Sequence, residues 1–294
     1  MIEINDLSHA LGKKSILESI NLVVPDSSIL GIIGINGAGK STLLRLLAGV
    51  YIPDRGSVTF DGESPQDATT RQNVFFLPDD PYYTSFTTPE KLFHFYKTFY
   101  PEIDYSTYTS LLSEYSIEPN GHIRNFSKGM RRQTFIALAL AIKPKYLLLD
   151  EAFDGLDPLS RKIFKDAIIT LVENEGTTVL ISSHSLRELE DFCDRFILID
   201  SKTIRHQGSI DEHIGKLCKF ELAFFDEINE SLFMPLPVVY LAIRGRFAQV
   251  VLEGDCIEMR SKLEALSPAV MDEMPLDFEE VFIHDVEKNR GDKK

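Results

Sequence analysis

The stretch "GINGAGKST", residues 34–42, lies between the short apolar run "ILGII" (29–33) and the helix-like run "KSTLLRLLAG" (40–49). The spacing of Gly34, Gly39, Lys40 and Ser41 fits the phosphate-loop pattern G-x-x-x-x-G-K-[ST]. Each residue type has a chemical reason. Glycines let the backbone take positive φ and approach a phosphate with no Cβ in the way. The loop feeds a helix N-terminus, where unpaired N–H groups and the helix dipole favour an anion. Lys40 adds a point charge for the outer phosphates, and the Ser41 hydroxyl is suited to Mg²⁺. Leu43, Leu44, Leu46 and Leu47 give the following helix a buried side, and Gly49 is placed to end it. A strand, this loop and a helix together predict a nucleoside triphosphate site made by Asn36, Gly37, Ala38, Gly39, Lys40, Ser41 and Thr42.

Outward from the loop, the chain of 294 residues has room for one large or two modest domains. Its composition, 44% hydrophobic and 26% charged, is that of a water-soluble globular protein with a full core. "FIALALAI" (135–142) is among the longest apolar runs and falls well short of a membrane span. The N-terminal "MIEINDLSHA" lacks the basic-then-apolar order of a signal peptide. A net charge of −14 argues against the nucleic-acid backbone as the main partner, because phosphate contacts need clustered Lys and Arg. Cys193, Cys218 and Cys256 are far apart, odd in number and in no metal spacing, so reduced cytosolic thiols are expected.

Residues 1–28 alternate weakly around the turn "LGKKS", as short antiparallel strands do, and "RGSVTFDGE" (55–63) repeats that pattern. From 84 to 123 the chain becomes aromatic-rich and loses strand-like runs, with Pro89 marking a helix start. Leu92, Phe95, Tyr96 and Phe99 recur at helical spacing, which predicts a core-facing stripe. Buried-strand runs then alternate with helices: "YLLLDE", residues 160–175, "TTVLISSH", 186–193 and "FILID". Such alternation means a mostly parallel sheet with crossover helices, an α/β core. After about residue 208, the strand-like "KFELAFF" and "VVYLAIRGRFAQVVLE" precede the helix-like "CIEMRSKLEAL" and "DFEEVFIHDVE". These predict a small α+β appendage with a polar tail.

Three further elements carry chemistry. "YLLLDE" puts Asp150 and Glu151 at the carboxyl end of a buried strand, where open parallel sheets bind ligands. Asp150 suits a Mg²⁺ shell, and Glu151 can orient or deprotonate an attacking water. In "NFSKGMRRQTFIALALAIKPK", Ser127 and the N–H groups around Gly129 form a second helix start able to hold an anion. Phe135, Leu138, Ala139 and Ile142 make an apolar face on that helix, which stops before Pro144. Since one chain needs a single phosphate cradle, the second is suited to another molecule's nucleotide, although such a helix start also occurs as a plain cap. His184, in "ISSHS", falls just beyond the strand that follows Glu151.

Taken in order, these motifs resemble the nucleotide-binding subunit of an ABC transporter from residue 1 to about 210. "GINGAGKST" resembles Walker A, "FSKGM" the family signature, "YLLLDE" Walker B, "DGLD" (154–157) the D-loop and "SSH" the switch-histidine loop. The tail, with "PLDFEEVFIHDVE", resembles that of bacterial bacitracin-type exporters of drugs and antimicrobial peptides. The resemblance implies a P-loop NTPase core with an N-terminal antiparallel β subdomain, an α-helical insert at about 84–140 and an accessory domain at 211–294. It implies ATP and Mg²⁺ as cofactors, Glu151 as catalytic carboxylate and His184 as γ-phosphate contact. It also implies a head-to-tail homodimer or heterodimer of ATPase subunits in which Ser127 and Gly129 meet the other chain's ATP. The partner would be an integral membrane permease, reached through a groove near the aromatic-rich insert, with the chain peripheral on the cytoplasmic face.

Two positions depart from the family. Leu11 stands where an aromatic usually stacks on adenine; His9 or another aromatic is a candidate substitute. Asp79 in "FFLPDDPYY" stands where the Q-loop has Gln, and is expected to be a metal-side link between the site and the helical insert; the alternative is a solvated loop acid beside Asp80. The alternative function is a soluble ABC-type ATPase acting on a macromolecular partner. Such relatives usually carry two cassettes or long coiled coils, and this chain has one cassette and no heptad run. A phosphate-loop kinase or GTPase has no use for the Ser127–Gly129 element or for His184.

Overall fold

The computed structural model describes residues 1–185, 187–190, 192–209 and 217–274. The helix-like "DFEEVFIHDVE" and the polar tail lie outside the described residues. The chain divides into two compact units, one of Met1–His184 with Asp191–Gln207, the other of Ser185–Glu190 with the chain from Gly208 on.

The first unit contains two sheets. Strands β1 (Ile2–Leu11), β2 (Lys14–Val24) and β4 (Arg55–Phe60) form an antiparallel sheet in the order β2-β1-β4. Its alternation buries Ile2, Ile4 and Leu7, with a register shift between Ile4 and Leu7 where Asp6 takes a φ of 45°. The second sheet has the order β5-β6-β7-β3-β8-β9, from β3 (Ile29–Ile33), β5 (Val74–Leu77), β6 (Tyr146–Leu149), β7 (Thr178–Ser183), β8 (Arg195–Asp200) and β9 (Thr203–Ser209). Strands β5, β6, β7, β3 and β8 pair in parallel. Residues buried on both faces, such as Leu147, Leu148 and Leu149, produce the unbroken apolar runs of the sequence.

Helix α1 (Lys40–Leu47) has only eight residues, too few to stand alone in water. Leu43, Leu44, Leu46 and Leu47 are fully buried in one cluster with residues from both sheets, including Ile4, Leu17, Leu30 and Leu148. Each such burial stabilises by about 1.5–3 kcal/mol relative to exposure. Packing therefore holds α1 directly after β3, and this fixes the loop between them. Gly49 at φ 68° follows the helix end.

The connections after β4 are helical: α2 (Ala68–Asn73), α3 (Pro89–Lys97), α4 (Tyr105–Glu114) and α5 (Lys128–Ile142). Thr88 caps α3 by accepting from Lys91 N, with Pro89 in the first turn. The aromatic stripe differs from expectation. Leu92 is buried, but Phe95 and Phe99 are 60% and 55% exposed. Helix α3 ends at Lys97, so Phe99 falls outside the helical repeat, and Phe93 takes the core position instead, stacked on Tyr108 at 5.3 Å. Helix α5 is buried all round from Arg132 to Ile142, beyond the single face expected. Helix α6 (Pro158–Glu175) ends at Gly176 and leads into β7.

The second unit holds the short helix α7 (Arg187–Glu190) and a sheet of order β11-β12-β10-β13, made of β10 (Leu217–Ala223), β11 (Val238–Arg244), β12 (Phe247–Glu253) and β13 (Val270–Met274). Helix α8 (Cys256–Glu264) contributes Met259 and Leu263 to a core with Phe220, Leu222, Val250 and Leu252. The cysteines correct the sequence reading. Cys218 and Cys256 form a disulfide, and Cys193 alone is free and buried. Pairing of β10 with β12 sets Cys218 opposite Leu252, and the turn into α8 then brings Cys256 to a Cα–Cα distance of 5.4 Å. A separation of 38 residues hides that proximity in the sequence.

Candidate nucleotide-binding site

The carboxyl ends of β3, β6 and β7 lie side by side, so the loops leaving them converge. In the loop after β3, Gly37 and Gly39 take φ of 82° and 115°. At Gly39 that φ is one L side chains rarely adopt, and an added Cβ would also press the end of the Leu17 side chain at 2.7 Å, so the position favours glycine. Lys40 is buried, and its Nζ donates to Gly34 O at 2.7 Å and lies 3.1 Å from Glu151 Oε1.

Two carboxylates follow β6. Asp150 is 1% exposed, and its Oδ1 accepts from Ser41 Oγ at 3.0 Å and from Ser182 Oγ at 2.8 Å. Both donors satisfy a carboxylate oxygen that is out of reach of solvent. Glu151 N donates to Ser182 Oγ at 3.0 Å, on a backbone with φ of 47°. That left-handed conformation is uncommon for a non-glycine residue and marks local strain. His184, just beyond β7, brings Nδ1 within 2.9 Å of Glu151 Oε2, and since an ionised carboxylate can only accept, the ring nitrogen donates. Glu151 is thus shared between an ammonium and an imidazole.

A cleft of about 470 Å³ runs through this cluster. Leu11, Lys14 and Ile16 line one part of it, and residues 36–42, Asp79, Glu151, Asp154 and His184 line the rest. The phosphate loop, Asp79, Glu151, His184 and Leu11 are thereby brought together, with Asp150 buried beneath through Ser41. Ser41 Oγ and Asp150 Oδ1 supply hard oxygens of the kind Mg²⁺ prefers, so the donors fit that ion. Glu151, Asp154 and His184 also bring ligand atoms within 4.8 Å of one another. There Lys40 already supplies a cation 3.1 Å from Glu151 Oε1.

Ser127 and Gly129 do not line this cleft. Ser127 caps α5 by accepting from Met130 N at 3.1 Å. Gly129 abuts the D-loop, and a Cβ there would meet Gly155 O at 2.6 Å. His9 is not among the residues lining the cleft, and its ring stacks on Tyr51 at 5.4 Å. No Phe or Tyr is among the residues lining the cleft. Sequence reasoning missed Lys14 and Ile16, although their alternation on β2 beside Leu11 was the available signal. It also missed Ser182 and Arg132, whose partners are distant in the chain.

Comparison with known proteins bears on the family and the fold. A family model described as ABC transporter matches residues 17–154. The chain is 30% identical over 285 residues to the ABC transporter ATP-binding protein YtrB of Bacillus subtilis (strain 168), covering 96% of this chain and 97% of that one. It is 32% identical over 196 residues to the lantibiotic transport ATP-binding protein SrtF of Streptococcus pyogenes, covering 66% and 84%. A solved ATP-binding subunit of an ABC transporter superposes with a TM-score of 0.67 at 27% identity, over 72% of this chain and 91% of that one. A dimeric ATP-binding cassette in a post-hydrolysis state with ADP and Pi matches at 0.62 over 71% and 99%, and at 20% identity that likeness shows the fold alone. The chain belongs to the ABC transporter family, as an ATP-binding and ATP-hydrolysing subunit.

Proposed function

We propose that this ATPase subunit works as a Mg²⁺-dependent head-to-tail dimer that drives a separate integral membrane permease, in the direction of export. The observation that carries the reading is the Glu151 carboxylate, held between Lys40 and His184 beside the Ser41–Asp150 pair. The loop N–H groups of residues 36–42 and the Lys40 ammonium would hold the phosphates, and Leu11, Lys14 and Ile16 would offer the base an apolar shelf. Ser41 and Asp150 would hold Mg²⁺, which when bound draws charge from the outer phosphate oxygens. Asp79, hydrogen-bonded to Arg132, would face it across the cleft without ligating it. Glu151 would take the proton of the attacking water, and His184 would orient that carboxylate and touch the γ-phosphate. Ser127 and Gly129, absent from this chain's own cleft, would close on the nucleotide of a second chain, identical or related.

No helix among the described residues is long and apolar enough to cross a membrane, which agrees with a permease on a separate chain and a peripheral cytoplasmic position. The lantibiotic-transport relative supports export within the antimicrobial-peptide and drug branch. The net charge of −14 disfavours nucleic acid as a partner. The test is the Glu151→Gln variant with Mg-ATP in size-exclusion chromatography with light scattering. A nucleotide-dependent dimer is expected, and a monomer at every protein concentration contradicts the reading.

A further inference from the structure

We propose that Arg132 is a positioning residue for ATP hydrolysis, a buried guanidinium that cancels the charge of Asp79 and holds the backbone behind Asp150 and Glu151. The proposal rests on the ATPase reading of the site above. Arg132 lies in the second turn of α5 and is 3% exposed. Its Nη1 donates to Pro78 O at 2.9 Å. Its Nη2 lies within hydrogen-bond distance of Asp79 Oδ1 at 3.0 Å, Asp150 O at 3.2 Å and Glu151 O at 2.7 Å. Three of these acceptors are neutral carbonyls, so Asp79 is the one carboxylate hydrogen-bonded to the buried charge. Burial lowers the Arg132 pKa, and Asp79 is the foremost of the carboxylates that oppose this, ahead of Asp154, Asp150 and Glu151.

Two consequences follow from this geometry. An unpaired carboxylate at position 79 would face the phosphates across the cleft and oppose a polyanion, whereas a carboxylate hydrogen-bonded to a guanidinium presents little net charge. The shortest of the four contacts, to Glu151 O, grips the peptide whose left-handed φ aims the Glu151 carboxylate at Lys40 and His184. The preceding turn makes further ties. Arg131 donates to Tyr83 Oη at 2.6 Å, and Lys128 reaches Asp154 at 3.5 Å. The first turns of α5, which begin at Ser127, therefore hold the loops at 78–83, 150–151 and 154. Lysine at position 132 could keep the charge but could not span four acceptors.

The test compares steady-state ATPase and mant-ATP binding for the full chain and for Arg132→Gln, Arg132→Lys, Asp79→Gln and the double Asp79→Gln/Arg132→Gln variant. In Arg132→Gln, kcat is expected to fall about 100-fold, the scale of a misplaced catalytic group. KM and mant-ATP affinity are expected to weaken by less than kcat falls, about tenfold at most, because the unpaired Asp79 opposes the bound nucleotide whereas the misplaced Glu151 acts on the transition state alone. The double variant, freed of an uncompensated charge, is expected to recover about tenfold over Arg132→Gln, and Arg132→Lys to lie between. If Arg132→Gln does not fold, an Arg132→Lys variant with reduced kcat and normal mant-ATP affinity supports the proposal. Wild-type kcat in Arg132→Gln or Arg132→Lys, a double variant no faster than Arg132→Gln, or a loss confined to KM overturns it. A wild-type chain that binds no mant-ATP would instead overturn the nucleotide reading, and this proposal with it.

Discussion

Glu151 shows how much chemistry a single residue can hold here: a strained backbone, an ammonium on one carboxylate oxygen and an imidazole on the other. Glu151→Gln keeps the shape and removes the base, so turnover is expected to fall by about 10²–10⁴-fold. ATP affinity should be retained, and equilibrium binding checks this; a variant that turns over at the wild-type rate removes Glu151 from the chemistry. Leu11 gives the converse case. It lines the cleft and is 45% exposed, offering apolar contact where a ring could stack. Leu11→Tyr is expected to tighten ATP binding by about tenfold, a gain of roughly 1–1.5 kcal/mol, within the range of base–aromatic stacking. The phosphate-loop residues, Asp150 and Glu151 were legible in the sequence because each is defined by neighbours within one loop or strand end. Arg132 and Asp79 were not legible as a pair, since 53 residues separate them and only the packing of α5 against the sheet ends joins them. The stacking of His9 on Tyr51 was hidden for the same reason, the two being distant in sequence.

Among the elements, α1 and α5 place the chemistry, and α4 shows how local signals start a helix cleanly. Asp104 caps α4, accepting from the N–H groups of Ser106 and Thr107 and from the Thr107 hydroxyl. The Thr107 hydroxyl foremost, with the backbone donors, holds the Asp104 carboxyl below its ordinary value of 3.8. A lowered folded value means that this stability is complete above about pH 4 and is lost as pH falls below it. Asp104→Ala is expected to cost about 1 kcal/mol at pH 7 and progressively less in acid, read by urea unfolding at both pH values. An equal cost at pH 7 and pH 3 would show that the charge plays no part. At the start of α5, Gly129→Ala forces a Cβ to 2.6 Å from Gly155 O. That change is expected to shift the D-loop and reduce turnover while nucleotide still binds, measured with the same ATPase and binding assays. Strands and helices were legible from period and caps. The aromatic stripe of α3 was not, because a seven-residue repeat assumes a helix reaching Phe99 and this one ends at Lys97.

Across the whole molecule, the first unit carries every residue that lines the nucleotide cleft, and the second is closed by the Cys218–Cys256 disulfide. A closed loop of this length stabilises by about 4 kcal/mol in the chain-entropy account. Reduction is therefore expected to lower the unfolding midpoint of the second unit and leave that of the first in place, as two resolved calorimetric transitions. Coincident loss of both would contradict that independence. The pairing was invisible to a reading by cysteine number and spacing, because strand register created it. The central claim is a composite site completed by a second chain, and the most direct measurement is Mg-ATPase activity of the purified chain against protein concentration, with Glu151→Gln alongside. Specific activity rising steeply with concentration in the wild type, and absent from the variant, is the expected result. Specific activity that is substantial and independent of concentration, from a chain that stays monomeric throughout, would contradict it.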